Sequence, residues 1–135
     1  MGKVFIFVLP LIVQVVEMEE VIEEIKGLFS SKGVEPIVSE PEKTEDGKLL
    51  VVINFEVPFK LSDEERDEMH EILRNMGFHL TNGYLNQVND FTSYKEWFGE
   101  DEYTDDNGNE VRVEYTKVKA NGETSFYIHK IVAVF

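Results

Sequence analysis

The hydrophobic period of this chain switches back and forth between that of a strand and that of a helix, and this constrains its fold more than any other feature. Over Lys48–Val57, the residues Leu49, Val51, Ile53, Phe55 and Val57 alternate with Leu50, Val52, Asn54 and Glu56. This is the period-two signature of a strand with one fully apolar face. Upstream, Met18, Val21, Ile22, Ile25, Leu28 and Phe29 recur at helical spacing, so Glu17–Lys32 is predicted as an amphipathic helix ended by a left-handed Gly33. Downstream, Ser62 and Glu65 stand at the spacing of a capping box, in which each side chain satisfies the other's free backbone amide. Met69, Ile72, Leu73 and Met76 then give this second helix its buried stripe, and Gly77 stops it.

The uncharged run Val4–Val16 is shorter than the roughly 18 residues a helix needs to cross a bilayer. It has no small-x-small cleavage site and is dense in β-branched and Phe residues, so it reads as a first strand and not as a signal peptide, which makes the protein cytoplasmic. Val4, Ile6 and Val8 would fall on one face and Phe5, Phe7 and Leu9 on the other, with Pro10 ending the ladder. Short strands at Val34–Glu40 and Phe78–Leu80, with a turn at Pro41–Gly47, complete the order β-α-β-β-α-β over residues 1–85. That order predicts an α+β fold with a ferredoxin-like core, an antiparallel sheet with two helices on one face.

Residues 86–135 read as an extension of this core within one domain. Thr81–Asp90 carries no clear period. Asp90 can cap a short helix whose Phe91, Tyr94, Trp97 and Phe98 form an aromatic stripe, with Gly99 as its stop. A C-terminal β-meander follows: Glu102–Asp105, Glu110–Lys119 and Glu123–Phe135, turned at Asp106-Asn107-Gly108 and Asn121-Gly122. The last strand is apolar on both faces and is expected inside the sheet.

The chemistry available is narrow. With no cysteine there are no thiol nucleophiles, thiolate metal sites or disulfides. The chain lacks glycine-rich phosphate loops, a nucleophile elbow and a glycosylation sequon. Three histidines remain. His70 shares its helix with Asp67 and Arg74 and reads as a surface imidazole, while His79 and His129 read as hydrogen-bonded residues on strands. They would make a metal site only if the fold brought all three together. Tyr103–Gly108 with Glu114 mimics a calcium loop but has Tyr103 where the first ligand should be Asp, so a hairpin tip is expected. No catalytic residue, metal or cofactor is predicted.

What stands out is charge. The chain has 27 acidic against 13 basic residues, a net −14 that disfavours direct contact with nucleic acid. Between Lys95 and Arg112 there is no basic residue, while Glu100, Asp101, Glu102, Asp105, Asp106 and Glu110 crowd the segment after Tyr94, Trp97 and Phe98. Such charge commonly serves solubility alone. The functional reading is a small acidic binding protein, not an enzyme. Its carboxylates would mimic a nucleic-acid backbone to inhibit or regulate a basic partner such as a nuclease, with the aromatic residues as anchors. Two other readings stand beside it. One is a small-ligand domain or minor enzyme using a sheet-face pocket with His79, His129 or Tyr127; the other is a ligand-free, designed or structural scaffold. Homodimerisation through the first or last strand is compatible with each.

Overall fold

The computed structural model describes the backbone of residues 2–135 and the side chains of residues 14–135. In chain order the elements are α1 (Gly2–Ser30), β1 (Ile37–Val38), β2 (Glu42–Lys43), β3 (Leu49–Ser62), α2 (Asp63–Asn75), β4 (His79–Phe91), β5 (Tyr94–Thr104), β6 (Glu110–Ala120) and β7 (Glu123–Val134). The fold is α+β: a seven-stranded antiparallel sheet in the order β1-β3-β7-β6-β5-β4, with β2 also paired to β3, and two helices. β4 to β7 form a continuous meander, and β3 pairs with β7, which places the doubly apolar C-terminal strand inside the sheet.

The sheet does not have the ferredoxin-like order. The strand expected at Val4–Leu9 is part of α1, whose backbone is helical from Gly2; the expected apolar faces of that strand involve side chains outside the described residues. No turn-forming residue separates the apolar run from Glu17, so the well-patterned helix extends backward through it, against local β-propensity. Without that strand the first crossover unit is missing, and all strand pairs are antiparallel.

Thr81–Asp90, without evident period, lies within the 13-residue β4, and the expected aromatic helix is instead the end of β4, a Thr92–Ser93 turn and the start of β5. Tyr94, Trp97 and Phe98 fit helical spacing, but Tyr94, Glu96 and Phe98 also alternate with Lys95, Trp97 and Gly99, and aromatic residues favour pleated surfaces. Gly99 decides it. It lies directly between Leu85 on β4 and Tyr115 on β6, and a Cβ there would come within 2.7 Å of Tyr115 Cζ and 2.8 Å of Leu85 Cδ2. The residue expected to stop a helix is the gap that admits its neighbours' side chains.

Both helices cover the same face of the sheet. Met18, Val21, Ile22, Ile25 and Phe29 of α1 and Met69 and Leu73 of α2 share one buried cluster with Val51, Ile53, Phe55, Val111, Val113, Phe126, Ile128, Ile131 and Phe135. Phe29 is its centre, edge-on to Phe55 at 4.6 Å and to Phe59 at 5.3 Å. Met76 borders the same hollow as Glu19 and Glu23, while Lys32 Nζ reaches Glu65 at 2.7 Å, so α2 runs antiparallel to α1. The capping box forms as expected, with Ser62 and Glu65 bonded reciprocally. The two hairpin signals also hold but differ: Asn121 and Gly122 both take positive φ, whereas at the 105–109 turn only Gly108 does.

Candidate interaction face

Strand alternation divides the acidic residues of β5 between two environments. Gly99, Asp101 and Tyr103 point toward the helices; Tyr94, Glu96, Phe98, Glu100 and Glu102 occupy the opposite face. No described helix covers that second face.

Asp101, expected on the surface, is buried. Its Oδ2 accepts from Arg66 Nη2 at 2.7 Å, and its Oδ1 accepts from the Tyr115 hydroxyl at 3.3 Å. The Arg66 guanidinium lies over the Phe126 ring, 4.5 Å from its centroid. Beside this pair the Tyr103 hydroxyl meets His70 Nδ1 at 2.7 Å. Burial, followed by the Asp101 charge, pushes the Tyr115 phenol up to about 12 and that of Tyr103 higher still, so both stay protonated as donors. Burial and then the Arg66 charge hold the His70 imidazole below its ordinary range, which keeps it an acceptor. The group is internally satisfied and ties α2 to β5 and β6. It is an interior fastening, and His70 is part of it and not the surface imidazole that was expected.

Other expected site residues also separate. Trp97 sits on the helix side, half-buried, with Lys117 Nζ 5.3 Å from its ring. Asp105 folds back on its own turn, accepting from the amides of Asn107 at 3.0 Å and Asn109 at 2.8 Å. Asp106 is exposed at the tip. The uncovered face keeps Tyr94, Phe98, Glu100, Glu102 and Glu110, and adds Tyr84 and Glu96, which were not among the expected site residues, and Glu114, expected only as part of the calcium-loop mimic. The signal for Glu96 was present in the strict alternation from Tyr94 to Glu102. Tyr84 was hidden by Gly83, which made the strand look broken.

On this face the Tyr94 hydroxyl donates to Glu96 at 2.5 Å, Glu100 lies between Tyr84 and Glu114, and Glu114 pairs with Lys130 at 3.1 Å. Tyr84, Phe98, Glu114, His129, Lys130 and Asn54 line a shallow hollow of about 470 Å³. Tyr84 and Phe98 are each about half exposed, at 53% and 51%. His129, on β7, is held by Thr116 at 2.5 Å, and His79 is exposed at the start of β4, with β6 and β5 between them. The three histidines therefore do not converge, and among the described residues no group of three or more His, Asp or Glu could hold a metal ion. The second concentration of carboxylates is on the outer side of the helices, where Glu19, Glu20, Glu23, Glu24, Asp63, Glu64 and Asp67 are exposed.

No family model matches this chain, and no curated protein matches it. Among solved structures it has a distant likeness to ORF14 of Sulfolobus islandicus filamentous virus. That likeness has 19% identity and a TM-score of 0.33 over 62% of this chain and 65% of the viral one. Among the described residues no helix is long and apolar enough to cross a membrane.

Proposed function

We propose that the protein is a small acidic binding module, without catalysis of its own, that engages a basic protein through the uncovered face of β4, β5 and β6. The observation that supports this is the β5 row in which Tyr94 and Phe98 alternate with Glu96, Glu100 and Glu102 on a face without a helix. Aromatic faces attract guanidinium and ammonium groups, and neighbouring carboxylates accept their hydrogen bonds, so the row suits a surface rich in Arg and Lys. Proteins that handle nucleic acid carry such surfaces, and a competitor for that surface would inhibit or regulate them. Among the described residues the helix layer is acidic but has few exposed aromatic side chains, and its carboxylates are the ordinary solvated faces of amphipathic helices.

Capture from a lysate of the native source, eluted with a salt gradient, tests this. Wild-type protein should retain a basic, nucleic-acid-handling protein released by salt; the triple variant E96Q/E100Q/E102Q should release it at distinctly lower salt, and F98A should weaken retention at every salt concentration. Equal retention by both variants rejects the face. Loss of retention in E20Q/E24Q/D67N instead would move the contact to the helix layer. A second reading is favoured by the hollow itself, which could take a small ligand beside His129 and Lys130. Native mass spectrometry would show it as added mass that is lost in the variant Y84A.

A further inference from the structure

β4 is the terminal strand of the sheet, hydrogen-bonded to β5 on one side and to nothing on the other. Every residue of its 13 except Asn89 is exposed, because the helices stop short of it on one face and the other face is uncovered. Natural edges of this length are guarded by lysines, prolines or charges that point inward. β4 has no Lys, Arg or Pro, and residues 79–89 contain no charged side chain, in a chain that is 30% charged overall. Its only irregularities are bulges near Thr81 and Val88, which leave Asn82–Gln87 in continuous register. Among the described residues, seven of the ten exposed large hydrophobic side chains (Leu80, Tyr84, Leu85, Val88, Phe91, Tyr94 and Phe98) lie on β4 and β5, so the apolar surface accompanies the free edge on both sides of the sheet.

Charge selects the occupant. A second copy carries the same net −14 and is repelled along the helices and along the β5 row, but not along residues 79–89. Along this edge two such molecules can meet without opposing carboxylates. We propose that β4 pairs antiparallel with β4 of a second copy, closing a two-fold homodimer through one continuous sheet. Identical edges related by a two-fold axis perpendicular to the sheet pair antiparallel and present the same patch to each other, so the contact closes and does not propagate. Leu85 is then covered on the helix side and Tyr84 on the other. The inference replaces the expected dimer through the first or last strand: the first is helical and the last, β7, has β3 and β6 on its two edges. It stands independently of the basic-partner reading.

Sedimentation equilibrium from micromolar to millimolar protein is the test, with L85K/N86K as the edge-blocking variant. Wild type should dimerise, and more tightly at high salt, since salt screens the repulsion between acidic copies; capture of a basic partner would weaken with salt. The variant should raise the dimer Kd about a hundredfold, through lost apolar burial in both copies and the like charges placed across the axis, with an unchanged circular dichroism spectrum. A wild type that stays monomeric throughout, or a dimer indifferent to the substitutions, overturns the proposal. Should the variant unfold, hydrogen exchange on wild type decides: protection of the outward amides within Asn82–Gln87 that grows with protein concentration supports the dimer, and protection independent of concentration overturns it.

Discussion

The two ends of the sheet are built from the same antiparallel pairing but buried in opposite ways. At the β3–β7–β6 end, α1 and α2 close over one face, and Ile53, Leu61, Val111 and Ile131 have no measurable exposure. At the β4–β5 end the ladder is equally long, yet β4 buries no residue. Backbone hydrogen bonds add little net stability because water replaces them in the unfolded chain, whereas removal of apolar surface from water is the dominant favourable term. The helix-backed end should therefore hold most of the folding free energy, and the other end should be free to serve as contact surface.

Equal truncations at the two ends are the most direct way to break this comparison. Phe29→Ala empties the site between Phe55 and Phe59 and should cost about 3–5 kcal/mol in denaturant unfolding. Phe98→Ala removes the same atoms from a ring that is half exposed and should cost under about 1 kcal/mol. Similar losses at both positions would mean that the β4–β5 end is as much a part of the folded core as the helix-backed end.

This division also explains what the sequence made legible. The helix-backed end follows simple periodic rules: the α1 stripe from Met18 to Phe29, the Ser62–Glu65 box, the alternation of β3 and the Asn121-Gly122 turn all appear where the pattern puts them. Each is a local signal reinforced by burial of the face it defines. Along β4 neither face is buried by the chain itself, so selection for alternation is weak there and the strand read as irregular. Asp101 was misplaced for a related reason. A carboxylate within an acidic run reads as solvated unless its strand parity is known, and that parity was concealed by assigning Phe91–Phe98 to a helix. The N-terminal strand failed differently, because local β-propensity is a weak prior where no turn separates an apolar run from a strong helix.

A smaller effect sharpens the boundary between the two ends, where Gly99 sits beneath Tyr115 and Leu85. Gly99→Ala brings a methyl group within 2.7 Å of the Tyr115 ring, and the ring cannot withdraw without drawing its hydroxyl off Asp101. Thermal or chemical unfolding should show a loss of about 1–3 kcal/mol, the usual penalty for overpacking. Leu85 is the second clash but is half exposed and free to swing away. Adding Leu85→Ala to Gly99→Ala should then recover little. Full recovery would show that the strain lies on the β4 side and that Tyr115 is not the constraint.

The smallest predicted effect is a pH dependence at the same seam. His70 lies among Arg66, Arg74, Asp67, Asp101 and Tyr103, and burial followed by the Arg66 charge lowers its pKa below the ordinary 6.5. As pH falls below 6.5 the unfolded chain takes up this proton before the native one does, so the native state binds fewer protons and loses stability. The contribution is complete above 6.5 and disappears as pH falls through the lower, folded value. It is distinct from that of Glu65, whose carboxyl is held below its ordinary 4.5 by Lys32 and then by the Ser62 amide, and whose contribution is lost only in more acidic solution. Unfolding at a series of pH values from 7 downward should show a decline of a fraction of a kcal/mol beginning near 6.5. In His70→Gln, which keeps an acceptor for the Tyr103 hydroxyl but does not titrate, that first decline should vanish while the acidic one persists. A first decline that survives the substitution would place the titrating group elsewhere and leave the Tyr103–His70 contact without a part in the pH response.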